Sequence, residues 1–249
     1  MVKLIDVKPD ALTSHSTWLI ELNDFLRYAV NSACLTLMCL AIFLTTANES
    51  SAIEKLGKTQ WQNEQRIPIL GVTVKGDTEI GAIAYLVVAF AERTDSTGLA
   101  VLFPSASGRF SPMAETSIQQ AIYRAARVAG LTTDAWSVMI SVVDSDLTIH
   151  GSSLSAMVSL TVLALAKGHS ILPNRVITGT IAPDGYIHVV GGIPLKLQAA
   201  QHAHYTRVLV PEEISITDGD WHTPFLMQVS PVSSLQQAYL GLTDFPLVP

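Results

Sequence analysis

The stretch that decides the fold is HGSSLSAMVSLTVLALAKG, from His150 to Gly168. Its nearly unbroken apolar run predicts a helix, and Gly168 is expected to end it because glycine is common at helix ends. Three serines, Ser152, Ser153 and Ser155, stand at the entrance of this helix, which is expected to start at Ser153. A hydroxyl at that position usually caps free backbone N–H groups, so none of the three indicates chemistry by itself.

On both sides of this helix, short β-rich runs alternate with amphipathic stretches. Strands are predicted in IPILGVTV, GAIAYLVVAFAE, GLAVLFP and WSVMISVV before the helix, and in RVITGTI, YIHVVGG and RVLVP after it. Further helices are predicted in ETSIQQAIYRAARVAG, PLKLQAAQHA and SSLQQAYLGL. This pattern begins at Ile67, so we expect one mixed α/β domain over residues 67–249.

A segment of different character lies ahead of that domain. Residues 28–48 carry no charge, and at about 1.5 Å each they span roughly 31 Å, about one bilayer core. We therefore expect a transmembrane helix at 28–48, with a buried core helix and a cleaved signal peptide as the alternatives. A signal peptide is disfavoured because the N-terminal segment, residues 1–27, is long and nearly balanced in charge. Residues 49–66 are expected to be a polar connector.

The composition excludes several classes of function. Charged residues make up only 14% of the chain, the formal net charge is −6, and the basic residues form no cluster. Nucleic-acid binding is therefore not expected. Cys34 and Cys39 both lie in the uncharged run and cannot form a disulfide framework. No metal-binding motif occurs in the sequence, so we expect neither a metal nor another cofactor.

Two stretches come close to well-known motifs without matching them. AIEKLGKT, from Ala52 to Thr59, differs from a phosphate-binding loop at its first position and follows a polar connector instead of a buried strand. GSSLS has Ser155 where the G-x-S-x-G elbow of α/β-hydrolases needs a glycine. Neither a nucleotide site nor that elbow is expected.

A lysine in the second half of the domain changes the interpretation of the serines. Lys196 follows a Gly-Gly bend and lies between Leu195 and Leu197, in a predicted apolar helix face. Burial lowers a lysine pKa by up to about 3–5 units, which makes the neutral amine a plausible base near neutral pH. A serine that faces such an amine forms a known nucleophile–base pair.

Two motifs in this region resemble one family. ITGTIAPDG followed by GGIPLKLQAA is similar to the lysine region of the Lon family of Ser-Lys peptidases, and GSSLSA resembles the family's nucleophile motif. The resemblance is strong over residues 150–210 and weaker over the rest of 67–249. It implies that Ser153 is the nucleophile, that Lys196 is the base, and that Thr178 hydrogen-bonds the lysine.

The resemblance also implies a fold and an activity. It is closest to the secreted or membrane-anchored Lon-like proteases that lack an ATPase module. The expected fold is then the α+β Lon proteolytic domain, similar to the second domain of ribosomal protein S5, preceded by one transmembrane helix. The expected activity is ATP-independent cleavage of protein or peptide substrates by a ring-shaped homo-oligomer. The protease domain is expected outside the cytoplasm, attached to the membrane by residues 28–48.

The residues around the nucleophile are the expected oxyanion and substrate contacts. Gly151 leaves room for a substrate carbonyl, and Ser152 and Leu154 flank Ser153 at a helix N-terminus that favours negative charge. Leu154 departs from the family, which commonly has a small residue there, and His150 or Ser152 replaces its acidic residue. A catalytically inactive Lon-fold scaffold that binds partners at the membrane is the first alternative. A hydrolase that uses a histidine is the second.

Overall fold

The structure is a computed structural model that describes residues 61–105, 108–213 and 226–248. These residues form an α+β fold with eleven strands and four helices. The mixed helix and strand content expected from the sequence is therefore confirmed. The expected transmembrane helix at 28–48, the N-terminal segment and most of the connector lie outside the described residues.

The largest sheet has four strands and is built on a long hairpin. Strands β1 (Asn63–Lys75) and β2 (Thr78–Glu92) pair antiparallel, with Ile67 opposite Leu86. Strand β5 (Trp136–Val142) pairs antiparallel with β2 and parallel with β3 (Ala100–Leu102), which gives the order β1-β2-β5-β3. Strand β1 is thus at an edge of this sheet.

A second sheet contains three parallel strands. Their order is β11-β10-β7, with β7 at Arg175–Ile177, β10 at Arg207–Pro211 and β11 at Gln228–Val232. Two short pairs complete the strands. They are β4 (Arg109–Phe110) with β6 (Thr148–Ile149), and β8 (Thr180–Ile181) with β9 (Ile187–His188).

The four helices are α1 (Pro112–Val128), α2 (Ser155–Ala166), α3 (Ile193–His202) and α4 (Leu235–Thr243). Helix α2 is the centre of the core, because every residue from its start to Leu165 is buried. It contacts α1, α4 and the hairpin β1–β2. A helix that is apolar on all sides needs neighbours on all sides, and this arrangement provides them.

Helix α1 shows how local sequence and packing agree. The Ser111 hydroxyl accepts a hydrogen bond from the Ala114 N–H at 3.3 Å, and Pro112 occupies the first turn, where a missing N–H costs nothing. The predicted apolar face, which includes Ile118 and Ile122, is buried. This helix begins three residues before the predicted stretch because Ser111 provides its cap.

The boundary between connector and domain lies earlier than expected. Residues 63–66, expected at the end of the connector, belong to β1 and pair with residues 87–90 of β2. The carboxamide of Gln65 also donates to the Ile171 carbonyl at 2.7 Å and accepts from the Ile171 N–H at 2.9 Å. The residues that 63–66 contact are distant in sequence, so the polar composition of residues 49–66 did not indicate a strand there.

Within the described residues, no helix is both long and apolar enough to cross a membrane.

Candidate active site

The site begins where strand β7 ends. The Thr178 N–H continues the pairing with β10 by donating to the Leu209 carbonyl at 3.2 Å. At the next residue, the Gly179 N–H donates to the Ser153 carbonyl at 2.9 Å, and the Gly179 carbonyl accepts from the Ala156 N–H at 3.1 Å. Gly179 therefore fixes the chain that leads into helix α2 by two backbone hydrogen bonds.

These bonds explain why α2 begins two residues after the expected position. The Ser153 carbonyl already accepts from Gly179, whereas the first carbonyl that accepts within the helix is that of Leu154, from the Val158 N–H at 3.1 Å. Ser153 lies instead in a turn that the Ser155 N–H closes by donating to the Ser152 carbonyl at 3.0 Å. The expectation that Ser153 itself starts the helix was wrong, because Ser153 lies two residues before it.

Lys196 lies on the buried face of helix α3. The buried residues of this helix are spaced at i, i+3, i+4 and i+7, and they are Ile193, Lys196, Leu197 and Ala200. The lysine is 3% exposed, and its Nζ donates to Oγ1 of the buried Thr178 at 3.2 Å. The contact expected between Thr178 and Lys196 is therefore present. Because Thr178 adjoins Gly179, one short segment touches both the lysine and the turn of Ser153.

Two glycines allow helix α3 to lie this close to the sheet. Gly192 precedes the helix with φ of +72°, a left-handed conformation that suits glycine. A Cβ on Gly81 of strand β2 would lie 1.9 Å from the Leu195 carbonyl oxygen, so only glycine fits there without moving the backbone. The depth at which Lys196 is buried depends on this close approach.

A cavity of about 600 Å³ joins the nucleophile and base candidates. Ser153 and Lys196 both line it, together with Leu154 and His150. Its remaining walls come from strand β1, the first half of β2, the segment of β6 and the turn before α3. The volume falls within the roughly 300–1,000 Å³ of small-molecule and substrate sites. The cavity is thus lined by Ser153 and Lys196, two of the three residues expected to be catalytic. The third, Thr178, is not a lining residue but is hydrogen-bonded to Lys196.

The other expected site residues lie in the turn before α2. Gly151 has φ of +81° and open space around its Cβ position, and Ser152 is half-buried. Neither lines the cavity, whereas Leu154 does, although its side chain is only 3% exposed. Within the described part of the chain, the backbone N–H groups of Ser153 and Leu154 have no acceptor. The N–H groups of Gly151 and Ser152 in the same turn donate to no backbone carbonyl of the described residues either, so the turn leaves four donors, of which those of Ser153 and Leu154 are at and next to the nucleophile candidate.

The remaining serine and the histidines have other surroundings. Ser155 is 1% exposed, as expected for a packed residue. Nδ1 of His169 lies 2.8 Å from the Tyr239 hydroxyl, and its ring stacks on Phe245. His150 is exposed and is the one histidine of the described residues that lines the cavity.

The sequence did not single out Gly179 or Gly81, on which this geometry depends. Each is a glycine inside or beside a predicted strand, and such a glycine often marks the close approach of another backbone. That signal was available, but it does not say which segment approaches. In the described ranges, no group of three or more His, Cys, Asp or Glu side chains could hold a metal ion.

Comparisons with known proteins add no relationship. No protein-family model matches the chain, and a search of curated proteins finds no match.

The close approach at Gly81 leads to a test of the site's architecture. Gly81→Ala is expected to lower the free energy of unfolding by about 1–3 kcal/mol, because helix α3 must move away from β2 to admit the methyl group. Gly71→Ala, on the neighbouring strand, meets nothing within 4 Å and serves as the matched control. Urea unfolding of both variants measures the difference. Equal stabilities would contradict the role assigned to Gly81.

Proposed function

We propose that this protein is a Lon-like serine endopeptidase that hydrolyses peptide bonds with a Ser-Lys dyad. One observation carries the proposal: Ser153 and the buried, Thr178-bound Lys196 line the same cavity. A lysine on the apolar face of a helix is costly for packing, so its presence beside an accessible serine favours a chemical role. The sequence motifs around both residues support the same assignment.

In the proposed reaction, Oγ of Ser153 attacks the carbonyl carbon of the scissile peptide bond. The neutral amine of Lys196 accepts the hydroxyl proton as the bond to carbon forms. The protonated lysine then gives that proton to the leaving amine, which departs and leaves an acyl-enzyme. Water hydrolyses the ester in the second half of the reaction, with Lys196 again moving the proton.

The surroundings of Lys196 suit a base. Burial disfavours the charged ammonium relative to the neutral amine, and Lys196 is 3% exposed. The hydrogen bond to Thr178 fixes the direction of the amine, which leaves less to reorganise in the transition state. Thr178 is a positioning residue in this scheme, because it acts through Lys196.

The negative oxygen of the tetrahedral intermediate needs donors close to the nucleophile. In the proposed site, these are the N–H groups of Ser153 and Leu154 at the N-terminus of helix α2, where the helix dipole adds to the effect. The N–H groups of Ser155 and Ala156 bond to other carbonyls and are not available. The proposed oxyanion site is therefore formed by the turn that precedes the helix and not by the first residues of the helix.

The wider proposal follows from the same resemblance. The fold is the Lon proteolytic domain, the protein acts as a membrane-anchored ring of identical subunits, and the protease domain lies outside the cytoplasm. Residues 28–48 form the anchor. Cleavage needs no ATP and no cofactor, and the substrates are proteins or peptides.

A catalytically inactive Lon-fold scaffold is the second candidate. The observation in its favour is Leu154, a cavity-lining residue next to Ser153 at a position where the family commonly has a smaller residue. A bulky group beside the oxyanion donors would narrow the space for a substrate carbonyl. Such a scaffold would not react with a fluorophosphonate active-site probe, whereas the proposed peptidase would.

The nucleophile is tested by two serine variants. Ser153→Ala is expected to lower kcat/KM for an unfolded protein substrate by at least about a thousandfold, because the attacking oxygen is lost. Its free energy of unfolding should stay within about 1 kcal/mol of wild type. Ser155→Ala, a buried neighbour, should keep its activity. The assay uses nucleotide-free buffer, and equal losses in both folded variants would exclude Ser153 as the nucleophile.

The base is tested by the dependence of the rate on pH. The wild-type rate is expected to rise with pH as the Lys196 ammonium loses its proton. Lys196→Arg cannot give up its proton in a protein, so it should be inactive at every accessible pH. Lys196→Met removes the amine and keeps most of the apolar stem, so it should also be inactive at every pH at which it is folded.

Melting curves of both lysine variants accompany the rate measurements, so that loss of folding is not mistaken for loss of chemistry. Substantial activity in a folded Lys196→Arg protein would exclude lysine as the general base. The hydrolase alternative that uses a histidine would then be favoured, with His150 as the histidine at the cavity.

The anchor is tested by membrane association. The full-length protein is expected to stay with membranes after a carbonate wash, because residues 28–48 would span the bilayer. A shortened chain that begins at Trp61, just before β1, should be found in the soluble fraction. Release of the full-length protein by the wash would show that the uncharged run is not a membrane helix.

A further inference from the structure

A second cavity, of about 490 Å³, lies on the other half of the β1–β2 hairpin. Strand β1 contributes residues 65–68, strand β2 contributes Tyr85, and the rest comes from residues 171–175 and Tyr205. None of its described lining residues also lines the cavity that contains Ser153. Its volume is also in the range of small-molecule sites. Nothing in the proposed peptidase mechanism uses it.

The walls of this cavity are fixed by hydrogen bonds. Gln65 joins β1 to Ile171 through both ends of its carboxamide, at 2.7 and 2.9 Å. On the other side, the Arg175 guanidinium binds both carboxylate oxygens of Asp244, at 2.5 and 2.8 Å, and the Gly241 carbonyl at 3.0 Å. A cavity held in this way needs little reorganisation to take up a ligand, which favours binding.

The cavity carries positive charge. Asp244 compensates the charge of Arg175, and this pairing holds the pKa of Asp244 below its usual value. Arg66 differs, because among the described residues no carboxylate forms an ion pair with it and no Asp or Glu lines the cavity. Its guanidinium lies 4.4 Å from the centre of the Tyr85 ring. Stacking uses the flat face of the guanidinium and leaves its N–H donors at the edges.

Hydroxyl groups and apolar side chains surround that charge. Burial, and next the neighbouring Tyr85, raise the pKa of Tyr205, so its hydroxyl keeps its proton at physiological pH. Tyr85 is half-buried and presents a second hydroxyl. Pro68, Leu172 and Pro173 provide apolar surface in the same cavity. This combination suits a ligand that has one anionic group and an apolar body.

We propose that this cavity binds the carboxylate of an apolar organic acid, with the Arg66 guanidinium pairing with the carboxylate and the Tyr85 hydroxyl donating to it. The apolar body of the acid packs on the residues of β1 and on the loop before β7. The carboxylate belongs either to a free small acid or to the carboxyl terminus of a peptide, since both present the same chemistry.

The experiment measures binding of benzoate to the full-length protein by calorimetry at neutral pH. Benzamide, which has nearly the same shape without the charge, is the matched ligand control. Wild-type protein is expected to bind benzoate saturably in the millimolar range and to bind benzamide at least about tenfold more weakly, because the pairing with Arg66 is lost. A short peptide with a free carboxyl terminus, compared with its amide, distinguishes the two sources of the carboxylate.

Variants localise the binding. Arg66→Gln should weaken benzoate binding at least about tenfold and Tyr85→Phe about threefold, with melting temperatures near that of wild type. Arg109→Gln is the matched control, since Arg109 is also exposed and forms no ion pair with a described residue. It should bind benzoate as wild type does. Undetectable binding to wild type, or equal binding to wild type and Arg66→Gln, would overturn the proposal.

Discussion

Helix α2 can exist only if other elements cover it completely, and the rest of the domain follows from that requirement. Eleven of its residues, Ser155 to Leu165, are buried. Its two inner hydroxyls are satisfied within the helix, because Ser159 donates to the Ser155 carbonyl and Thr161 to the Met157 carbonyl, both at 2.7 Å. Such bonds let polar side chains stay in an apolar core. The turn that carries Ser153 is therefore joined to the most completely buried helix of the described structure.

The elements whose pattern is local were predictable from the sequence. The apolar run of α2, the amphipathic repeat of α1 and the strand of residues 136–142 follow from short-range periodicity, and the structure contains all three. The site was predictable to the same extent. Placing Lys196 on an apolar helix face required only the residues around it, and Thr178 came from the resemblance of one short motif.

The features that escaped prediction depend on contacts between distant segments. The start of β1 depends on pairing with residues 87–90 and on Gln65 reaching Ile171, 106 residues away. Helix α2 starts later than expected because the Gly179 N–H donates a hydrogen bond to the Ser153 carbonyl. Strands β4 and β6 have two residues each, which is too short to show an alternation of apolar and polar residues. They are also distant from each other in sequence, so no local pattern indicates that they pair. Local patterns do not contain such information, whatever scale of propensity is applied to them.

Lys196 is the residue for which packing alone gives no reason. The neighbouring buried positions of α3 hold Ile193, Leu197 and Ala200, and an apolar residue at 196 would continue that face without desolvating a charge. The buried Thr178 instead accepts a hydrogen bond from Nζ, while Gly81 lets the backbone of helix α3 lie close to β2. Natural sequences break local rules mainly at functional sites. A buried lysine on an otherwise apolar helix face, hydrogen-bonded to Thr178, is the feature on which the proposed role of Lys196 as a base rests.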